Sequence, residues 1–168
     1  MQGLDHDAVL KRADDVLFDL FETSVPLMPG VTTLLRAVPL KKAVCSNSSI
    51  RRLKQSIERT EAAPYFERHI YSAEHVPNAK PAPDLALYAC NALQVLPSEA
   101  IFIDDNIHGI GCAKAAGCLA IGFIGPSDKR EGQRATLIAA GADFVVEGME
   151  ECLSLVKRLT SNIRDDID

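Results

Sequence analysis

An α/β domain with a mainly parallel sheet is what this 168-residue sequence predicts, on three observations. Short apolar runs recur at Leu40–Cys45, His69–Tyr71, Ala100–Ile103, Leu119–Phe123 and Phe144–Val146, each too short for a helix and several ending at Ser, Asp or Gly. Between them lie segments whose apolar residues keep helical spacing. The alternation of the two patterns is the mark of βα units, whose strands pair in parallel with helices on both faces. Because 47% of the residues are hydrophobic and no Gly/Ser-rich linker divides the chain, one domain with one core is expected.

The elements follow in order. Val9, Leu10, Ala13, Val16, Leu17, Leu20 and Phe21 hold a 3-4 spacing, which predicts one amphipathic helix. Pro26, Pro29 and Gly30 interrupt it, and Val31, Leu34 and Leu35 begin a short second helix. After the strand Lys41–Cys45, helical spacing returns at Ile50, Leu53 and Ile57. It returns again at Leu85, Tyr88, Ala89 and Leu93, and at Ile110, Ala113 and Ala116, where Gly117 closes the helix. In sheets of this kind ligands gather beyond the carboxyl ends of the strands, so the residues leaving each strand are the site candidates.

Composition removes several functions. Eighteen Lys and Arg against 23 Asp and Glu leave a net charge of −5, a poor match to a polyanion, so nucleic-acid binding is disfavoured. No run approaches the roughly 20 apolar residues of a membrane span, and the acidic N-terminus is unlike a secretory signal, which predicts a cytoplasmic protein. The five cysteines, Cys45, Cys90, Cys112, Cys118 and Cys152, form no C-x-x-C pair and are expected to be small buried apolar residues. The charged stretch Gly125–Gly141, with Asp128, Lys129, Arg130 and Arg134, is expected to be a solvated face.

Three features leave the strands. Ser46-Asn47-Ser48-Ser49 offers hydroxyls and backbone N–H groups to a phosphoryl group, or Ser48 or Ser49 simply caps the helix near Ile50. In Asn78-Ala79-Lys80-Pro81-Ala82-Pro83-Asp84, Pro83 and Asp84 are ordinary helix-start signals, while the rigid lead-in aims the Lys80 ammonium as a point charge suited to phosphate. Asp104 and Asp105 end an apolar strand side by side, where mutual repulsion calls for a cation, and a hard divalent ion such as Mg²⁺ suits oxygen donors. The plain alternative has one aspartate capping the next helix and the other facing water. His108 has no catalytic companions and reads as a surface or packing residue.

These three elements in this order resemble the haloacid dehalogenase superfamily of phosphohydrolases, nearest the group of β-phosphoglucomutase-like and phosphoglycolate-phosphatase-like proteins. VCSNSS resembles the family's second motif, NAKPAPD its lysine motif and IFIDDNIHGIGCAKAAG its acidic motif, so the likeness runs from about Pro29 to about Val146. The resemblance implies a Rossmannoid three-layer sandwich. It also implies that Ser46, with Asn47 beside it, holds phosphoryl oxygens, that Lys80 neutralises charge there, and that Asp104 and Asp105 bind Mg²⁺, the family favouring Asp105 as direct ligand. The partner it implies is a small phosphorylated metabolite; oligomeric state is left open.

Family members open on a strand ending in Asp-x-Asp-Gly-Thr, which is not found here. On one alignment residues 1–28 resemble the last helix of the family's cap, residues 29–160 form the core and residues 161–168 a loose acidic tail. The central first strand is then missing, and the strands ending at Ser46 and Asp104 either pair directly or leave unpaired edges. On the rival alignment Val16-Leu17-Phe18-Asp19 is that strand and Asp19 the nucleophile, with Phe21 in the second aspartate's place and no glycine after it. Three functions follow as expectations: a Mg²⁺-dependent hydrolase of phosphate monoesters, a non-catalytic phosphate- or Mg²⁺-binding module of the same fold, or a piece of a longer enzyme.

Overall fold

The computed structural model describes residues 26–161. The helix expected over Val9–Phe21, the candidate Asp19 and the acidic tail from residue 162 lie outside the described residues. The described residues open with helix α1 (Val31–Ala37), strand β1 (Val44–Ser46), α2 (Ile50–Glu58), the single turn α3 (Ala63–Phe66) and β2 (Ile70–Ser72). A 3₁₀ turn (Ala73–His75) follows, then α4 (Asp84–Leu93), a second 3₁₀ turn (Pro97–Glu99) and β3 (Ile101–Asp104). Helix α5 (Ile107–Ala116), β4 (Leu119–Ile124), α6 (Gln133–Ala139), β5 (Phe144–Glu147) and α7 (Gly148–Ser161) complete the order. All strand pairs are parallel, as the alternation predicts.

Each element has a local cause. The hydroxyl of Ser49 accepts from Arg52 N and caps α2. Asn106 does the same for α5 by accepting from His108 N, so neither Asp104 nor Asp105 is that helix's cap. Gly117 ends α5 at φ 85°, a left-handed conformation that a side chain resists. The first strand is shorter than its apolar run: ladder pairing begins at Val44 and takes in Ser46, so the hydroxyl stands at the strand's last residue.

β4 shows why such runs need no polar alternation. Ala120 and Ile124 pack with Cys90, Ile110 and Leu137 on the face covered by α4, α5 and α6, while Leu119, Ile121 and Phe123 pack with Val146, Cys152 and Leu155 on the face covered by α1 and α7. Both faces of the strand are buried, so both sets of side chains are apolar. Gly122 lets α6 approach, since a Cβ there would meet Leu137 at 3.0 Å. All five cysteines are free, four of them buried as small core residues. Among the described residues no helix is long and apolar enough to cross a membrane.

The strands form two sheets, β1-β2 and β3-β4-β5. Among the described residues β1 pairs on one side only and so does β3, and no ladder joins them; the candidate strand Val16–Asp19 lies outside the described residues. β2 is buried throughout, whereas Ile103 on β3 is 39% exposed. Helix packing spans the division, because α4 contacts both strands of the small sheet and also α5, which lies on β3 and β4.

Ile110 is fully buried at the centre of the larger core. Ile110→Ala is expected to lower unfolding free energy by about 2–5 kcal/mol in urea titration, whereas Leu40→Ala, at a half-exposed position, changes it by less than about 0.5 kcal/mol.

Candidate active site

Ser46, Lys80 and Asp104 come from three separate elements: the end of β1, the loop before α4 and the end of β3. Lys80 stands between the two sheets. Its Nζ donates to the Cys45 carbonyl on β1 at 3.2 Å and to Asp104 Oδ2 on β3 at 2.7 Å, with both charged side chains about nine-tenths buried. The ring of Phe102 lies beneath the ammonium at 5.8 Å. The loop holding Lys80 is pinned by Asn47, whose Oδ1 accepts from Lys80 N at 3.1 Å while its Nδ2 donates to Lys80 O at 3.0 Å. Asn47 is thus turned toward the lysine backbone, a role its sequence position beside Ser46 does not announce.

Asp104 has both oxygens engaged, Oδ2 by Lys80 and Oδ1 by Asn106 N at 2.9 Å. Its carboxylate fits only because residue 109 is glycine: a Cβ there would overlap the Asp104 side chain. Asp105 points elsewhere. Its side chain is 65% exposed, and Arg130 Nη2 meets Oδ2 at 3.2 Å. Arg130 also grips Asp128 through Nε at 2.9 Å and Nη2 at 2.6 Å, and the buried Gln133 donates to the Asp105 carbonyl at 2.8 Å. The stretch expected to be a solvated face therefore reaches back to the acidic pair. Sequence spacing carries no sign of this, because residues 128–133 meet Asp105 only through the fold.

At the Ser46–Ser49 turn, Ser48 N donates to Ser46 Oγ at 3.1 Å. The first amide of α2, Ile50 N, donates to Glu74 Oε2 at 3.0 Å. The sequence suggests that free amides of this turn meet a phosphoryl group, but these two already have side-chain partners. His108 is exposed, as expected of a surface residue. The Cys45 thiol, although near Lys80, is pushed up to about 12 by burial and stays protonated at neutral pH.

An open cleft of about 650 Å³ runs past Ile103, Asp104, Asp105 and Arg130, with Phe123 and Met149 as apolar walls. Of the acidic pair, Asp105 offers the kind of oxygen donor that Mg²⁺ takes, an ion commonly held by one or two carboxylates plus phosphate and water oxygens. Asp105 is the more open of the two, since its Oδ1 has no hydrogen bond among the described residues. Among those residues, no cluster of three or more His, Cys, Asp or Glu side chains forms a ready-made metal cage.

A family model described as haloacid dehalogenase-like hydrolase matches residues 3–123. A phosphorylated carbohydrates phosphatase of Thermotoga maritima is 27% identical over 152 residues, covering 89% of this chain and 68% of that enzyme. A phosphoglycolate phosphatase of Chromobacterium violaceum is 31% identical over 134 residues, covering 77% of this chain and 56% of that one. The chain thus spans between half and seven-tenths of the length of these two relatives. In structure, a haloacid dehalogenase-like protein of unknown function from Agrobacterium tumefaciens superposes with a TM-score of 0.81 at 31% identity, over 94% of this chain and 72% of the other. A HAD family hydrolase from Deinococcus radiodurans, solved with bound phosphate and sodium, does so with a TM-score of 0.67 at 30% identity, over 74% and 56%.

The Arg130 hydrogen bonds hold the Asp128 carboxyl down to about 2. A carboxyl lowered on folding adds stability above its ordinary pKa, near 4, and loses it as the pH falls toward 2. In Arg130→Gln, the Asp128 carboxyl is expected to titrate higher than in the wild type, read from its side-chain carbon shift, while the retained backbone N–H of residue 130 still holds it below its ordinary value, and the acid sensitivity tied to this group is expected to diminish.

Proposed function

The chain belongs to the haloacid dehalogenase-like hydrolase family, and from that premise we propose that it acts as a Mg²⁺-dependent hydrolase of small phosphate monoesters. The observation that carries the reading is the placement of Lys80. An ammonium has three protons; Cys45 O and Asp104 take two, and the third remains to meet an incoming anion. Ser46 supports it: because its oxygen accepts from Ser48 N, its own O–H is left to donate to a phosphoryl oxygen. Asn47 holds the lysine loop and keeps one amide proton for the same ligand.

In this reading Asp105 would hold Mg²⁺ directly, and Asp104 orients Lys80. Bound Mg²⁺ offsets negative charge on phosphoryl oxygens, the need that dominates phosphoryl transfer. Asp104, engaged at both oxygens, is not the attacking group; that part falls to Asp19 on the alignment that places it at the nucleophile's position. The names of the relatives, phosphatases of phosphorylated carbohydrates and of phosphoglycolate, favour a small phosphorylated metabolite as substrate. A second reading, phosphate binding without turnover, is favoured by the pairing of both acidic side chains with cations.

The test is hydrolysis of p-nitrophenyl phosphate by the purified chain with Mg²⁺, beside calorimetry with inorganic phosphate. Hydrolysis lost in Asp19→Asn and reduced roughly 100-fold or more in Lys80→Met is expected. Phosphate binding by the wild type without hydrolysis selects the second reading. Neither binding nor hydrolysis overturns both.

A further inference from the structure

The residue opposite Ser46 in the β1-β2 register is Ser72, a hydroxyl with no exposed surface. Its Oγ donates to the Ser48 carbonyl at 2.6 Å and accepts from Glu74 N at 3.2 Å, so both of its functions are used inside the protein. Two residues on, Glu74 accepts from Ile50 N at 3.0 Å. The 3₁₀ turn after β2 therefore grasps the turn after β1 at two points, on a carbonyl and on an amide two residues beyond it.

The grasp is itself anchored. Ser72 N donates to His75 Nδ1 at 2.9 Å, and the His75 ring stacks on Tyr88 of α4 with centroids 5.7 Å apart. Ser48, whose carbonyl is grasped, also sets Ser46: its own N donates to the Ser46 oxygen and occupies one of that oxygen's lone pairs. The Glu74 carboxylate also fills the N-terminal position of α2 that could otherwise attract an anion. A phosphoryl group is thereby directed to the Ser46 and Lys80 side chains.

We propose that Ser72 and Glu74 are positioning residues that lock the Ser46–Ile50 turn, so that the Ser46 hydroxyl is presented ready-oriented to a phosphoryl group. This deepens the functional reading above and rests on it. A structural cap alone would give Ser72 the Glu74 N bond, but would not require the shorter bond across to Ser48 O.

The test is the affinity of the full chain for inorganic phosphate with Mg²⁺, measured by calorimetry on single and double variants. Ser72→Ala is expected to weaken binding about tenfold, the scale of one lost hydrogen bond. The double variant Ser46→Ala, Ser72→Ala is expected to bind no more weakly than Ser46→Ala alone, because Ser72 acts through Ser46. Glu74→Gln keeps an oxygen for Ile50 N and is expected to retain wild-type affinity. Glu74→Ala is expected to lose affinity, whereas a carboxylate that merely repelled phosphate would give tighter binding on removal. Wild-type affinity in both Ser72→Ala and Glu74→Ala, or full additivity with Ser46→Ala, overturns the proposal.

Amide hydrogen exchange on the same proteins gives a separate readout. Faster exchange at Ser48 in Ser72→Ala and at Ile50 in Glu74→Ala is expected; unchanged exchange at both overturns the lock even if the wild type binds no phosphate. Failure of the wild type alone to bind phosphate counts instead against the functional reading. Glu74 is exposed, so its variants test the idea even if Ser72→Ala does not fold.

Discussion

One ammonium group ties the two sheets of this molecule to each other. Lys80 Nζ reaches a carbonyl of the small sheet and a carboxylate of the large one, across an interval that no backbone ladder spans among the described residues. Buried pairs of this sort add little stability over apolar packing, but losing one partner leaves the other charge uncompensated, at a cost of about 3–5 kcal/mol. The geometry on either side serves the pair: Asn47 holds the lysine loop, Asn106 N takes the second carboxylate oxygen, and the bare Gly109 backbone makes room for Asp104. The fold supplies proximity through α4 and α5, which pack on each other, α4 touching both strands of the small sheet and α5 lying on β3 and β4.

The charges around the site are settled pairwise. Lys80 answers Asp104, and Arg130 answers both Asp105 and Asp128. An anion arriving at Lys80 finds one ammonium proton uncommitted, while a cation arriving at Asp105 meets a 3.2 Å, solvent-exposed contact that is easily exchanged. The buried Lys80–Asp104 contact is left to keep the geometry.

The larger features were legible in the sequence because they depend on local pattern. Apolar runs, Gly117 and the serine cap at Ser49 each act within a few residues, so strands and helices fall near where spacing puts them. Ser46, Lys80 and Asp104 were legible for another reason: each leaves the carboxyl end of a strand or precedes a helix, where parallel sheets gather ligands. The partners of these residues were not legible. Asn106 rather than an aspartate caps α5, Arg130 turns back to Asp105, and Ser72 reaches Ser48; all but the first of these contacts join residues at least 24 apart, through sheet register and loop path. The start of β1 at Val44 rather than Leu40 has a similar cause, since among the described residues Leu40 has no strand partner and remains about half exposed.

The separation of β1 from β3 has a mechanical meaning. A sheet with continuous ladders resists sliding of one strand past the next, because every residue's hydrogen bonds would have to break together. Among the described residues the join between β1 and β3 is made by side chains and helix packing: the Lys80 bonds to the Cys45 carbonyl and Asp104, and the seating of α4 on α5. Ala86 and Cys90 of α4 pack with Ile110 and Cys112 of α5, which makes the larger core part of that join. The placement of one strand end against the other is therefore set by side-chain and helix contacts rather than by ladder register.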